Sequence, residues 1–261
     1  MRTDRRTRAA LSRCGTVLLL ALISGAALAE GEGGALQAAN NDIENTASLQ
    51  RGARNFVNYC SGCHSAQYVR YNRIAADLNI PEPALRASLM FNPAAKVADT
   101  LHSAMPAADA TNWFGAAPPD LSLMSRARGS DYIYSFLKGF YLDPSRPTGV
   151  NNIVLKGTAM PDVLANLRGE QKAVFRKVTK HTDEGKEYQE EEFDKFEVGE
   201  PGTVSAKEFD GFVRDTVNFL QYMGEPVQAK RQALGVWVVL FLLLFTLFAY
   251  LLYKDYWRDV D

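Results

Sequence analysis

From Ala233 to Tyr253 the chain reads ALGVWVVLFLLLFTLFAYLLY, twenty-one residues without one charged side chain. At 1.5 Å per residue a helix of this length covers about 30 Å, the thickness of the bilayer hydrocarbon core. The stretch predicts a membrane-spanning anchor over residues 228–253. Trp237 sits near one end and Tyr250, Tyr253, Tyr256 and Trp257 near the other, as the two interfaces favour. Lys230 and Arg231 before the span balance Lys254 and Arg258 after it, so flanking charge does not orient it.

The N-terminus supplies the orientation. Arg2, Arg5, Arg6, Arg8 and Arg13 form a basic segment, followed by an apolar run that ends in Ala27-Leu28-Ala29. This order predicts a cleaved signal peptide over residues 1–29. The apolar run is short for an anchor helix and long for a mitochondrial presequence. The residues around Arg5-Arg6 fit a twin-arginine signal poorly, and Cys14, directly after Arg13, does not resemble a lipid-attachment cysteine. Residues 30–227 then form an exported domain, large enough for one hydrophobic core, and residues 254–261 a short cytoplasmic tail. Loss of five arginines and Asp4 with the signal moves the formal charge from −1 to about −5. No nucleic-acid partner is expected.

The same cleavage removes Cys14 and leaves Cys60 and Cys63 as the cysteines of the exported domain. A disulfide across Cys-x-x-Cys closes a tiny loop and stabilises little. The stretch is Cys60-Ser61-Gly62-Cys63-His64, and on a helix its two thiols and imidazole project to one side, about a turn apart. Cys-x-x-Cys-His is the attachment pattern of haem c: two thioether bonds hold the porphyrin and His64 ligates the iron. A zinc site would call for a second Cys or His pair at finger spacing, and none is present. A thioredoxin-like pair would sit in a βαβ pattern and has no use for His64.

Upstream, TASLQRGARNFVNYC places Leu49, Gly52, Phe56 and Cys60 at helical spacing. Gly52-x3-Phe56-x3-Cys60 resembles the N-terminal helix of class I c-type cytochromes, where the small residue admits a second helix and the aromatic packs beside the haem. Gly52 costs an isolated helix about 1 kcal/mol relative to Ala, which is reasonable only where close packing needs it. Downstream, Ser205 and Glu208 form a capping box with Val204 and Phe209 as the staple. Phe209, Phe212, Val213, Thr216, Phe219, Leu220 and Met223 then make one apolar face, and Gly224 and Pro226 stop the helix.

An electron carrier gains from a sixth iron ligand, and methionine opposite histidine raises the reduction potential. Met90, Met105, Met124, Met160, Met223, His102 and His181 are the candidates. Met105-Pro106 and Met160-Pro161 have the best contexts, since the following proline keeps the ligand out of helix. Spacing leaves both open.

Four stretches in one order, SLQRGARNFVNYCSGCHSAQYVRYNRIA, GAAPPDLSLMSRARGSDYIYSFLKGF, GTAMPDVL and the C-terminal anchor, resemble the cytochrome c1 family, the haem subunits of the ubiquinol–cytochrome c reductase (bc1) complex. The resemblance implies a mostly α-helical, class I cytochrome-like haem domain on one C-terminal transmembrane helix. It implies Met160 as the sixth ligand, so that His64 and Met160 are the iron ligands and Cys60 and Cys63 carry one haem c. By position it also implies Pro118 and Pro119 lining the haem pocket, Arg128 pairing with a propionate and Tyr132 near the haem edge. The chain is shorter than mitochondrial members between Arg128 and Tyr132 and between Phe140 and Met160.

The implied role is transfer of electrons from a Rieske iron–sulfur protein to a soluble or tethered c-type cytochrome. Cytochrome b is the membrane partner, in a dimeric complex of the bacterial inner membrane with the haem domain on the periplasmic side. No residue suggests a quinol or proton-transfer site, so the isolated chain is read as a carrier without catalytic residues. Another membrane-anchored monohaem cytochrome, such as a terminal-oxidase subunit, is the alternative; a haem peroxidase with an open sixth site and a zinc-binding module are more distant ones. Two segments carry weaker signals. The acid-rich stretch 183–200 reads as a solvated loop or as a strip steering a basic cytochrome. The Ala-rich stretch between Phe91 and Asn112 reads as loop with some helix.

Overall fold

A computed structural model describes residues 36–181 and 187–259 of the 261-residue chain. The expected signal peptide, with Cys14 and Arg5-Arg6, lies outside them. Helix α1 (Thr46–Tyr59) begins at Asn45, whose side chain accepts a hydrogen bond from the Ser48 amide. Of its buried residues, Leu49, Gly52, Ala53, Phe56 and Val57 recur at three- and four-residue intervals and form one face. That face meets α8 (Ala206–Gly224), the long helix of the C-terminal half.

Helix α8 starts as expected. Ser205 accepts from the Glu208 amide, and the Glu208 carboxylate accepts from the Ser205 amide. Phe209, Val213, Thr216, Phe219, Leu220 and Met223 are buried, while Phe212 is half-buried and packs edge-on against Tyr59. The predicted close approach is at Gly52: a Cβ there would overlap the Asp215 carbonyl oxygen and lie 2.7 Å from the Phe219 Cβ. Phe56 fills the space beyond it, fully buried, with its ring 5.8 Å from that of Phe219. Burying such a ring contributes about 1.5–3 kcal/mol.

Polar side chains complete the α1–α8 seam. Ser48 donates to Asp215, Arg51 pairs with the same carboxylate, and Asn55 donates to the Phe212 carbonyl and to Thr216. The buried Ser48 and Asn55 therefore have partners where water is excluded, while Arg51 covers Asp215 from the solvent side.

Between these helices run short elements. Strand β1 (Ala66–Arg70) pairs antiparallel with β2 (Thr100–Leu101). Helices α2 (Tyr71–Asp77) and α3 (Glu82–Leu89) lie between the two strands. Helix α4 (Ala107–Phe114) follows, so the Ala-rich stretch contains a short strand and a helix. Helices α5 (Met124–Arg128) and α6 (Ser130–Lys138) then pack on α8. Tyr134 and Lys138 of α6 both donate to Asp210. Strands β3 (Phe140–Leu142) and β4 (Val150–Asn152) form a second small antiparallel pair, and α7 (Ala165–Arg168) precedes the third.

The acid-rich stretch is not an isolated loop or strip. Strand β6 (Glu187–Pro201) pairs along its length with β5 (Gly169–His181), and residues 182–186 between them are outside the description. The acids of β6 face a basic strand: Arg176 is opposite Glu192, Lys177 opposite Glu191 and Lys172 opposite Glu197. Lys180 reaches both Glu190 and Glu192. Opposite-charge cross-strand pairs each contribute a few tenths of a kcal/mol and set the register. An aromatic chain, Tyr141–Phe175–Phe193–Phe196, pins the base of the hairpin to β3. The acidic charge is thus partly neutralised within the hairpin, which weakens long-range steering by it.

Helix α9 (Gln228–Tyr256) carries the apolar run, with a mean hydropathy of 2.6 over its best window and none of that window buried. It continues three residues past the expected boundary at Tyr253. At its junction with the haem-motif domain, Glu225 accepts from Arg231 of α9 and lies 3.4 Å from Arg126 of α5.

Candidate haem-binding site

The backbone turns where the motif begins. Helix α1 ends at Tyr59, and one further turn follows in which Cys63 and His64 both donate to the Cys60 carbonyl. Cys60, Cys63 and His64 are therefore presented by a turn appended to α1, where a continuous helix was expected. Both cysteines are free and half-buried. Burial, with the neighbouring Cys63 as a lesser cause, pushes the Cys60 thiol up to about 12.

His64 is held by the segment that the cytochrome c1 resemblance singled out. Its Nδ1 lies 2.8 Å from the Pro119 carbonyl oxygen, so Nδ1–H donates and Nε2 is left with its lone pair. Burial lowers the His64 pKa, against smaller opposing effects of the Pro119 carbonyl and Asp120, which favours the neutral imidazole a metal needs. The segment itself is clamped to the chain after His64. Leu121 donates to the Ser65 carbonyl, the Gln67 amide to Asp120, and the Tyr68 amide to the fully buried Ser122 hydroxyl. Asp120 also accepts from the Ser122 amide, which shapes the turn. Asp120, Ser122 and Ser65 were not singled out as site residues, although Asp120 and Ser122 lie in the quoted Pro-Pro-Asp-Leu-Ser block.

The other candidates fall into two groups. Pro118, Tyr132 and Met160 are half-buried, and Tyr132 and Met160 pack against the hydrophobic core. Leu121, Met124, Phe136 and Val163 are likewise apolar, core-packed and only half-covered. Arg128 and Pro119 are exposed; the Arg128 guanidinium lies 5.4 Å above the Tyr132 ring, which stacks on Phe136. Arg128 makes no ion pair with a carboxylate among the described residues. Met105 belongs to a different strap: Ser103 donates to the Gly62 carbonyl and accepts from the Met105 amide, which ties that methionine's backbone to the motif turn.

These features fit a haem c. The two thiols and the imidazole do not converge on one point, and no group of three or more His, Cys, Asp or Glu side chains among the described residues could hold a metal ion together. The residues that would hold a haem c are present together: two thiols and an imidazole with its Nε2 unengaged, on one turn.

Residues 41–260 match the model of the Cytochrome C1 family. The chain belongs to that family. It is 49% identical to the cytochrome c1 of Allochromatium vinosum, over 94% of this chain and 97% of that protein. It is 33% identical to the cytochrome c1 of Rhodospirillum rubrum, over 81% of each. It is also 40% identical to a protein of Nitrosomonas europaea named ammonia monooxygenase gamma subunit, over 93% of this chain and 97% of that one. As a cytochrome c1 of bacterial type the chain carries one covalently bound haem c and is a membrane-anchored electron-transfer subunit of the bc1 complex, beside cytochrome b.

Proposed function

We propose that this cytochrome c1 takes one electron at a time from a Rieske iron–sulfur protein and delivers it to a c-type cytochrome. In this reading Cys60 and Cys63 would carry the haem, His64 and Met160 would ligate its iron, and the domain stands on the periplasmic side of a dimeric complex. The haem supplies the redox centre; everything else is the work of the chain's own residues.

The observation that carries the reading is the hydrogen bond from His64 Nδ1 to the Pro119 carbonyl. It fixes tautomer and ring orientation, and it makes the imidazole a stronger donor. A ligand set already oriented needs little rearrangement when charge changes. Met160, followed by Pro161, would offer a thioether, a ligand that favours the reduced state of the iron. In this reading Pro118, Pro119 and Tyr132 would line the pocket and Arg128 would pair with a propionate; support for it is that Tyr132 packs on the core and that the Arg128 guanidinium lies over its ring. No quinol or proton-transfer step is assigned to this chain.

A second reading, membership of an ammonia monooxygenase assembly, is favoured by the name of the Nitrosomonas relative. Purification of the tagged full chain from its membrane separates the two. Co-purifying cytochrome b and a Rieske protein, with haem c reduced on addition of a quinol and reoxidised by a soluble cytochrome c, is the expected result. Recovery with a monooxygenase or a terminal oxidase, and without cytochrome b, overturns it.

A further inference from the structure

The loop that carries Met160 is fastened at both ends, and the two fastenings differ in kind. Upstream, the Gly157 amide donates to Asn151 and its carbonyl accepts from Arg146, at the surface. Downstream, two residues after Met160, Asp162 forms an ion pair with Arg168 of α7 whose side chains are 5% and 12% exposed. Asp162 also accepts from the Leu164 amide, so the same carboxylate shapes the turn that leads into α7.

Arg168 reaches further than Asp162. Its guanidinium carbon lies 5.8 Å from the centre of the Phe209 ring, in the first turn of α8, and Phe209 is buried. Helix α8 is the one packed against α1, and α1 ends at Tyr59, one residue before Cys60. The pair thus ties the chain two residues after Met160 to α8, and α8 is packed on α1, the helix that precedes the His64 turn. The Arg168 Nε and Nη1 atoms are buried without a partner, so Asp162 is the sole acceptor that this guanidinium has among the described residues. A buried cation with one acceptor holds that acceptor firmly, because the guanidinium cannot move away without being left unpaired.

We propose that the Asp162–Arg168 pair is the positioning element of the sixth-ligand loop: it sets where Met160 stands relative to His64 by tying the loop to α8. The inference rests on the reading of Met160 as a ligand. Neither residue touches the iron; both act through the loop. Surface pairs such as Arg73–Asp77 or Arg86–Glu82 could not do this, since water replaces either partner at little cost.

The test uses the full-length holoprotein and the binding of exogenous imidazole to the oxidised haem, which requires the loop to release its ligand. Asp162→Asn is expected to raise imidazole affinity tenfold or more and to lower the midpoint potential. Haem content by pyridine haemochrome should stay unchanged. Arg168→Lys keeps the charge but loses the planar fork, and should give a smaller rise; it serves if Asp162→Asn does not accumulate. Arg51→Met breaks the ion pair with Asp215 on the far part of the α1–α8 seam. It is expected to lower thermal stability without changing imidazole affinity, which separates positioning from general loosening. Met160→Leu is the reference. If it leaves imidazole affinity unchanged, the ligand reading itself falls and the positioning role with it. If it opens the iron while Asp162→Asn and Arg168→Lys stay within twofold of the native protein, or if Arg51→Met raises affinity as much as they do, the positioning role is wrong and the ligand reading stands.

Discussion

Gly52 on α1 lies so close to the Asp215 carbonyl of α8 that no side-chain carbon fits between them. The contact brings together the helix that carries the haem motif and the helix that leads toward the membrane anchor. Gly52→Ala adds helix propensity worth about 1 kcal/mol, but it drives a methyl into backbone that cannot yield. Overpacking of this kind costs about 1–3 kcal/mol or more. The variant should melt several degrees lower than the native holoprotein in a thermal scan followed by circular dichroism. An equal or higher melting temperature would show that the two helices can part without penalty.

Met160 and Met105 share a following proline, yet their surroundings differ. The Met105 backbone is strapped through Ser103 to the Gly62 carbonyl of the motif turn, whereas Met160 lies on a loop anchored to β4 and α7. Met160→Leu should lower the midpoint potential on the order of 0.1 V and let the reduced protein bind carbon monoxide. Met105→Leu should do neither. The reverse pattern in a redox titration and a carbon monoxide difference spectrum would reassign the ligand.

The parts legible in the sequence were those written in local spacing. The Cys60–His64 motif, the Gly52/Phe56 face, the Ser205–Glu208 box and the uncharged span each lie within one element, where a period or a cap betrays the geometry. The β5–β6 hairpin was not legible because its apolar positions are sparse and its charges cancel across strands. Attention to the acids of β6 alone hid the lysines and arginines of β5 that face them. The clamp on His64 was half-legible: Pro118 and Pro119 stood out, but the bonds from Asp120 and Ser122 join residues more than fifty positions apart. The Asp162–Arg168 pair left no sequence signal, since only burial distinguishes it from an ordinary surface pair.

Asp120 offers a way to loosen the His64 hydrogen bond without touching His64. Its two oxygens accept from the Gln67 and Ser122 amides and so hold the Pro119 carbonyl in place. Asp120→Ala should lengthen the bond to Nδ1, weaken the imidazole as a donor to iron and shift the midpoint potential upward. Iron ligation and covalent attachment should persist. A potential that is unchanged, or one that falls, would mean that the Pro119 carbonyl is positioned by other contacts.

Tyr222, on the buried face of α8, donates its hydroxyl to Asp77 of α2 at 2.8 Å. Burial first, and then Asp77, pushes the phenol well above its usual value of 10.0. A group whose pKa is raised by folding contributes stability that is complete below the unfolded value and is lost as pH climbs through it toward the folded one. Stability should therefore fall above about pH 10, by up to about 1.4 kcal/mol per pH unit while this one site titrates. Tyr222→Phe removes the hydrogen bond, at a cost of about 1 kcal/mol at neutral pH, and with it this part of the alkaline slope. Tyr71 and Tyr141, also raised chiefly by burial, leave a residual decline. Denaturant titrations of the holoprotein at about pH 8 and about pH 11 should show a smaller loss in the Phe variant than in the native chain. An identical loss in both would show that Tyr222 ionises as readily folded as unfolded, and that its place between α8 and α2 is far wetter than its packing indicates.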